Sequence, residues 1–341
     1  MTYDHAYQRL LLALLTEGQR RPTRAVLRST GAHVDALTLF APPPLVVDLS
    51  AGFPLLTLRK VSLRVTAAEL LWFLSGSTNA ADLRALGANI WDEWAAEDGA
   101  LGPVYGAQWR AFHGRDGRVV DQISALVGRL QATVADPHHP DARRLLLTGY
   151  NPADAIVAAL PPCHVLAQWD VDPDARTLSC LVTQRSADVY LGLPYNVASY
   201  ALLTHLLAEV AGLGVGRLVM VMGNAHLYSN HLDQARELLA RRATPAPRLV
   251  VGHRDAAGLA YSRLSWVDGA LVLGCALPAV TTTVPLAPEH LRVTGYQPGE
   301  ALPGEVAVLP ARLALAPSRL RRGLLCDGPG RIECLRARGT P

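Results

Sequence analysis

The chain has 341 residues, of which 50% are hydrophobic and 18% charged, and it carries a formal net charge of +3. This composition is typical of a folded globular protein and excludes a disordered chain, while the charge is too small to indicate a nucleic-acid partner. The apolar run at residues 269–288 is interrupted by Pro278 and Pro285, so it predicts strands and turns rather than a membrane helix.

The amino terminus and the cysteines indicate the compartment. Residues 1–5 lack the basic start and apolar core of a signal peptide, so we expect a cytoplasmic protein. The five cysteines are an odd number without CxxC or zinc-ligand spacing. We therefore expect neither disulfides nor a bound metal, which leaves a reduced thiol available for chemistry.

The amino-terminal part of the chain predicts a helix, a loop and two short strands. Leucines between positions 10 and 15 give residues 6–17 a broad apolar helical face. The basic stretch 18–31 contains glycines and a proline and predicts a loop. Residues 37–40 and 45–49 predict strands, separated by three consecutive prolines.

A second helix is predicted at residues 67–74, with Thr66 as its amino-terminal cap and Gly76 after its end. Glu69 lies among apolar residues of this helix, where an unpaired carboxylate is costly. It is therefore either a functional residue or part of a structural salt bridge.

The remainder of the chain alternates helices with strands. Apolar periodicity predicts helices at residues 121–130, 198–211 and 230–242 and strands at residues 178–183 and 218–222. The polar motifs in the middle of the chain lie between these segments.

Two such motifs carry residues suited to covalent catalysis. Residues 160–165 place Cys163 after a rigid Pro-Pro step, and residues 184–196 supply Arg185 with further polar side chains. A thiolate is a strong nucleophile near neutral pH, and a nearby guanidinium favours it. The alternative is that Cys163 is a small core residue.

Six motifs in consecutive order resemble the thymidylate synthase family. They are Glu69–Leu74, Ile90–Trp94, Leu101–Gly106, Leu160–Val165, Gln184–Asn196 and Gly223–His231. The resemblance extends from about Leu45 to Val308. It implies an α+β fold with a large mixed β-sheet, helices on one face of the sheet, and the other face used for dimerisation.

The resemblance also implies a reaction. Cys163 would attack C6 of a pyrimidine nucleotide and make C5 nucleophilic. Glu69 would order water beside the base and relay protons to O4, and Tyr105 would help to remove the C5 proton. The one-carbon unit would come from the co-substrate 5,10-methylenetetrahydrofolate.

Nucleotide recognition is assigned by the same resemblance. Arg185 and Ser186 would bind the phosphate, and His226 and Tyr228 would bind the sugar 3′-hydroxyl. The amide of Asn196 offers an acceptor for N3–H and a donor to O4 of uracil. Because cytosine presents the reverse pattern, Asn196 favours a uracil nucleotide, with either ribose or deoxyribose.

Further arginines complete the phosphate site in this interpretation. Arg28 is the nearest match to the family's phosphate-binding loop arginine and Arg24 the second, with a solvated basic loop as the alternative for both. Arg143 and Arg144 would cross the interface of an obligatory homodimer and bind phosphate in the other active site.

The expected folate site contains two tryptophans and two polar residues. Trp91 and Trp94 would shape the pocket where the pterin stacks on the pyrimidine, and Asp188 would hydrogen-bond the pterin ring. Arg59, with Lys60 beside it, is the candidate for the folate tail.

The expected activity is the conversion of dUMP into dTMP with release of dihydrofolate. A 5-hydroxymethylase acting on dUMP, UMP or cytosine nucleotides is the alternative, because the basic loop, Asn224, Ser62, Tyr150 and the carboxy-terminal extension depart from the family pattern. A non-catalytic relative that binds nucleotides or RNA has no need of Cys163.

The resemblance also suggests the domain organisation. We expect residues 1–308 to form a catalytic domain with a divergent amino-terminal loop at residues 18–44. Residues 309–341 would form a carboxy-terminal extension.

Overall fold

The computed structural model describes residues 2–277 and 281–308, so the predicted extension lies outside the described residues. The α-helices are α1 (Tyr3–Glu17), α2 (Leu63–Ser75), α3 (Ala80–Ala85), α4 (Tyr105–Arg110), α5 (Gln122–Ala135), α6 (Pro152–Ala155), α7 (Leu193–Ala211) and α8 (Leu232–Ala240). The strands are β1 (Gln19–Leu27), β2 (His33–Phe40), β3 (Leu45–Asp48), β4 (Phe112–His113), β5 (Val119–Val120), β6 (Leu146–Thr148), β7 (His164–Asp172), β8 (Thr177–Asp188), β9 (Gly214–Tyr228), β10 (Arg248–Val251), β11 (His253–Arg254), β12 (Ala260–Val267), β13 (Ala270–Cys275), β14 (Thr283–Pro285), β15 (Leu291–Thr294) and β16 (Ala307–Val308).

The fold is organised around a large mixed sheet, which confirms the expected α+β class. Its strand order is β16-β1-β2-β9-β8-β7-β6, and β3 also pairs with β9. β8 and β9 run parallel, whereas the neighbouring pairs are antiparallel. Because parallel neighbours need a crossover connection, α7 links these two strands and packs on both.

The inner face of the sheet holds the core. Along β8, Leu178, Cys180 and Val182 are buried, whereas Leu181 is exposed on the opposite face. This alternation follows from the two-residue period of a strand. The face opposite the core, the outer face of the sheet, therefore carries exposed apolar residues such as Leu181.

α7 fills much of the space above the inner face. Its residues are buried on most sides, as expected of an interior helix. The helix begins at Leu193, earlier than the predicted residue 198, because Pro194 suits a first helical turn where no N–H is needed. Asn196 therefore lies in the first turn of α7.

α2 has a different cap from the predicted one. The hydroxyl of Ser62 accepts a hydrogen bond from the backbone N–H of Val65, and Thr66 is buried inside the helix. Gly76 ends the helix with φ 83°, a left-handed conformation that glycine adopts without strain, as predicted. In the described part of the chain no helix is both long and apolar enough to cross a membrane.

The loop predicted at residues 18–31 is wrong over most of its length, because β1 occupies Gln19–Leu27. β1 has β2 as a partner on one side and only the two-residue β16 on the other. An edge position tolerates Pro22 and exposed arginines. The strands predicted nearby are confirmed by β2 and β3.

Candidate active site

A cavity of about 590 Å³ opens at the end of β8 and the start of α7, between α2 and β1. It collects most of the residues that the sequence singled out. The predicted residues that line it are Glu69, Trp91, Trp94, Tyr105, Cys163, Arg185, Ser186, Asp188, Asn196, His226 and Tyr228.

Cys163 lies immediately before β7, and its neighbours fix its backbone. Its N–H donates to the hydroxyl oxygen of Tyr105 at 2.7 Å, and its carbonyl accepts from the N–H of Arg185 at 2.9 Å. The Arg185 guanidinium also donates to the carbonyls of Pro161 and Pro162. Burial raises the pKa of the Cys163 thiol, and the charge of Arg185 offsets part of this increase.

The phenol of Tyr105 is oriented by the same backbone. Its oxygen accepts hydrogen bonds from the N–H groups of Cys163 at 2.7 Å and His164 at 3.3 Å. The phenolic proton is therefore left for a partner in the cavity. Burial raises the pKa of Tyr105 well above its ordinary range, so the phenol stays protonated near neutral pH.

Glu69 projects from α2 into the cavity beside a tryptophan. Its Oε1 accepts a hydrogen bond from Trp91 Nε1 at 2.7 Å. Burial raises the pKa of Glu69 to about 7, and the bond from Trp91 partly opposes that rise. No salt bridge to Glu69 occurs within residues 2–277 and 281–308. The alternative that Glu69 forms a structural salt bridge is therefore not supported by these residues.

Two polar side chains are fixed where β8 ends and α7 begins. Asp188 Oδ1 accepts from the N–H groups of Tyr190 at 3.0 Å and Leu191 at 3.1 Å. The Oδ1 of Asn196 accepts from Nε2 of the fully buried Gln184 at 2.9 Å. The hydrogen bond from Gln184 therefore gives the Asn196 amide a defined orientation.

His226 and Tyr228 project from β9, with ring centroids 5.0 Å apart. Burial lowers the pKa of His226 and raises the pKa of Tyr228 to about 12, so both are neutral near pH 7. The parallel register places His226 opposite Asp188 and Asn224 opposite Ser186. Asn224 is not among the residues that line the cavity.

The amino-terminal arginine in the cavity is Arg24, the second choice from the sequence, and not Arg28. Two extra residues of β1 between its pairings at Pro22 and Val26 form a bulge. Bulges re-aim side chains beside active sites, and here Arg24 lines the cavity. Arg28 instead forms an exposed ion pair with Glu93.

Three other predicted arginines also lie away from the cavity. Arg59 is buried, donates to the carbonyl of Tyr190 at 2.6 Å and lies over the Tyr190 ring, so its guanidinium is held inside the fold and does not line the cavity. Arg143 and Arg144 are exposed before β6, and Arg144 pairs with Asp141. Their predicted role across a dimer interface stays a prediction.

Sequence reasoning missed part of the cavity wall. His164 lines the cavity beside Cys163, and burial lowers its pKa to about 4. Its position directly after Cys163 in the sequence could have identified it as a residue of the site. Val306 and Ala307 also line the cavity, and no local pattern could place them there because they reach it only through the fold.

The cavity combines features suited to a planar, anionic substrate. Arg24 and Arg185 supply positive charge, while Trp91 and Trp94 form an aromatic wall with ring centroids 5.9 Å apart. Such faces stack on flat heterocycles, and guanidinium groups bind phosphate. Across the described residues, no group of three or more His, Cys, Asp or Glu side chains is arranged to hold a metal ion.

Comparison with protein families agrees with this geometry. The model of the family described as thymidylate synthase matches residues 5–308, which include every residue of the cavity. The chain therefore belongs to the thymidylate synthase family, whose members transfer a one-carbon unit from 5,10-methylenetetrahydrofolate to pyrimidine nucleotides.

Proposed function

We propose that the protein converts dUMP into dTMP, with Cys163 as covalent nucleophile and 5,10-methylenetetrahydrofolate as co-substrate. The observation that carries this proposal is the meeting, in one cavity, of the Cys163 thiol, the buried carboxyl of Glu69 and the fixed amide of Asn196. A nucleophile, a proton carrier and a base-reading group are what the reaction requires.

Cys163 adds to C6 of the pyrimidine as the thiolate. Arg185 favours that form and its contacts hold the loop that carries the thiol. Addition at C6 makes C5 nucleophilic, and the reduced folate supplies the one-carbon unit and the hydride. Cys163 leaves when the ring is restored.

Glu69 and Tyr105 handle the protons. With a pKa of about 7, Glu69 exchanges a proton readily at neutral pH and serves O4 of the base. Tyr105 holds its hydroxyl beside the nucleophile and assists loss of the C5 proton through water. General acid–base catalysis of this kind contributes roughly 10²–10⁴-fold in rate.

The remaining polar residues select the nucleotide. Asn196, fixed by Gln184, reads the uracil edge. Arg24, Arg185 and Ser186 bind the phosphate in this proposal. His226 and Tyr228, both neutral, then meet the sugar hydroxyl.

The cavity also suits the reduced folate. The faces of Trp91 and Trp94 offer a wall for the pterin, and Leu191 and Tyr195 extend the apolar lining. Asp188 lines the same cavity, and two backbone N–H groups hold its Oδ1. Its Oδ2 is thereby oriented for a hydrogen bond to the pterin ring.

A homodimer through the outer face of the sheet is part of this proposal. Residues at one register level across neighbouring strands form the outer row, which comprises Val46, Val219, Leu181, Gln168 and Leu146. Val46 is 48%, Leu181 38% and Leu146 37% exposed. Burying such a row against a second copy is favourable. Arg143 and Arg144 at the β6 edge would then reach the other active site.

Complementation between two inactive variants tests the shared site. Homodimers of Cys163→Ser and of Arg144→Ala should each be impaired. Mixed dimers should regain activity, because one of their two sites combines an intact thiol with an intact arginine. Failure to regain activity in verified mixed dimers would remove Arg144 from the other site.

The function itself is tested by incubating the protein with dUMP and 5,10-methylenetetrahydrofolate while following dihydrofolate and the mass of the nucleotide. Equal amounts of dTMP and dihydrofolate support the proposal, and Cys163→Ser should abolish both. A 5-hydroxymethyl nucleotide without dihydrofolate would identify the hydroxymethylase instead. No product from dUMP, UMP, CMP or dCMP would contradict both enzymes and leave a nucleotide-binding role.

A further inference from the structure

Helix α4 ends in an arginine whose guanidinium contacts three other elements of the fold. Nη1 of Arg110 donates to the carbonyl of Leu74 at 3.0 Å and to the carbonyl of Gly269 at 2.8 Å. Its Nη2 lies 3.1 Å from Oδ2 of Asp121, and the two side chains form a salt bridge. Arg110 thus joins the end of α2, the amino-terminal cap of α5 and the turn between β12 and β13. These four residues are called the Arg110 junction.

The junction lies where α4 packs closely on the end of α2. A Cβ on Gly106 would collide with the carbonyl oxygen of Ser77 and would lie 3.0 Å from the carbonyl carbon of Gly76. The absence of a side chain at Gly106 therefore permits this approach. The rings of Phe73 on α2 and Tyr105 on α4 have centroids 4.8 Å apart. Because this contact is tight, a small separation of the two helices would open a gap for water.

The two helices carry the two proton-transfer residues of the proposed mechanism. Glu69 precedes Leu74 on α2, and Tyr105 precedes Arg110 on α4. In each helix about one and a half turns separate the catalytic residue from the junction. A shift of either helix at the junction would therefore move a catalytic side chain.

The hairpin formed by β12 and β13 supplies two further contacts to Arg110. Its turn places Asp268 and Gly269 at φ 46° and 78°, and the Gly269 carbonyl accepts from Arg110. The ring centroid of Trp266 on β12 lies 5.6 Å from the guanidinium carbon of Arg110. A cation over a tryptophan face is attracted by the charge distribution of the ring. Neither the hairpin, residues 260–275, nor Arg110 lines the cavity, so both can act on it only through α4 and α2.

We propose that Arg110 is a positioning residue that fixes the spacing between the Glu69 carboxyl and the Tyr105 hydroxyl, and that the β12–β13 hairpin holds Arg110 in place during proton transfer. This inference rests on the proposed function, in which Glu69 serves O4 and Tyr105 assists loss of the C5 proton. The nucleotide is bound by other residues, so loss of the junction should leave its binding nearly unchanged. The proton-transfer steps should slow, because a misplacement of about 1 Å can cost roughly 10²-fold in rate.

The test uses the full-length variants Arg110→Ala, Arg110→Lys and Trp266→Leu with dUMP tritiated at C5. Lysine keeps the charge without the planar fork, and leucine keeps an apolar side chain without the aromatic face. We expect tritium release and kcat to fall roughly 10- to 100-fold in Arg110→Ala and roughly two- to tenfold in Trp266→Leu. Arg110→Lys should fall between them. KM for dUMP should stay within about twofold of wild type in all three.

A double variant tests whether the hairpin acts through Arg110. In the Arg110→Ala background, Trp266→Leu should not slow tritium release any further. Independent, multiplying effects of the two substitutions would overturn the role of the hairpin. Arg115→Ala is the matched control, since Arg115 follows α4 and its side chain is 89% exposed. It should release tritium as wild type does, and an equal loss in this control would overturn the assignment to Arg110.

The ionisation of Glu69 gives a second readout that needs no turnover. Burial raises the pKa of Glu69 to about 7, and water entering between α2 and α4 would relieve that burial. Infrared titration detects the carboxyl when each protein is compared with its own Glu69→Gln form. The pKa of Glu69 should be lower in Arg110→Lys and Trp266→Leu than in wild type. A substitution that only lowers the free energy of unfolding would leave this pKa unchanged in the folded protein.

The outcomes separate this inference from the function on which it rests. Folded Arg110→Lys and Trp266→Leu that release tritium at the wild-type rate overturn the junction's role and leave the function standing. A higher KM for dUMP with an unchanged kcat also overturns it, because the junction would then act on binding. If wild type releases no tritium, the proposed function fails. The junction is then decided by the pKa of Glu69, since a lower value in the variants supports its positioning role and an unchanged value overturns it.

Discussion

Trp91 Nε1 donates a hydrogen bond to Glu69 Oε1 at 2.7 Å inside the cavity. This bond stabilises the ionised carboxylate, and it opposes the effect of burial, which raises the pKa of Glu69 to about 7. Replacing Trp91 with Phe keeps an aromatic ring and removes the donor. We therefore expect the pKa of Glu69 to rise further in Trp91→Phe.

The pH dependence of kcat/KM measures that change. The Glu69-dependent limb of the profile should move to higher pH in Trp91→Phe. Trp94→Phe is the control. Trp94 lines the same cavity, and its replacement leaves the hydrogen bond between Trp91 and Glu69 intact. Identical profiles for wild type and Trp91→Phe would show that this bond does not govern the ionisation.

Glu69 should also make the stability of the protein depend on pH. Its pKa is raised from 4.5 to about 7 on folding, so the folded state favours the protonated form. This contribution to stability is complete below pH 4.5 and is lost as the pH rises to about 7. Glu69→Gln is uncharged throughout and should gain about 3 kcal/mol relative to wild type across that interval.

Denaturant unfolding of both proteins at several pH values tests this difference. Asp233→Asn is the control, since the Asp233 side chain is 93% exposed. Its stability relative to wild type should change little over the same range. A pH-independent difference between Glu69→Gln and wild type would mean that Glu69 ionises normally.

The two amino-terminal arginines should differ in their effect on nucleotide binding. Arg24 lines the cavity, whereas Arg28 pairs with Glu93 at the surface. Loss of a charged contact to phosphate should raise KM for dUMP roughly 10- to 100-fold in Arg24→Ala. In steady-state kinetics, Arg28→Ala should have a KM for dUMP near that of wild type. A larger increase in KM for Arg28→Ala than for Arg24→Ala would show that Arg28 binds the phosphate.

A charge in the outer row should disrupt the proposed dimer. Leu181 lies in that row and is 38% exposed. Leu181→Arg would place a guanidinium in an apolar interface, so sedimentation should show monomers at concentrations where wild type is dimeric. Val267→Arg alters a residue that is 45% exposed on β12, outside the large sheet, and should leave the mass of the assembly unchanged. A dimeric Leu181→Arg would place the interface elsewhere.

Motifs were sufficient to predict most of the cavity. Cys163, Glu69 and Asn196 come from different parts of the chain; the family motifs assign them to one site, and in the fold they line one cavity. Local chemistry also predicted the end of α2 at Gly76 correctly, because a glycine suits the left-handed cap.

The errors arose where distant parts of the chain decide the structure. The arginines and Pro22 of β1 indicated a loop, but an edge strand accommodates them. Arg59 looked like a surface cation, and its burial depends on the carbonyl and ring of Tyr190, far away in sequence. Arg24 reaches the cavity through a bulge that no local pattern revealed.

The covalent role of Cys163 is the central claim, and intact-protein mass spectrometry tests it most directly. In 5-fluoro-dUMP, fluorine replaces the hydrogen that must leave C5, so the reaction should stop with the nucleotide and folate still attached to Cys163. We predict a mass increase equal to both ligands in wild type when 5,10-methylenetetrahydrofolate is present, and none in Cys163→Ser. An unmodified wild-type protein that still binds the nucleotide would contradict the mechanism.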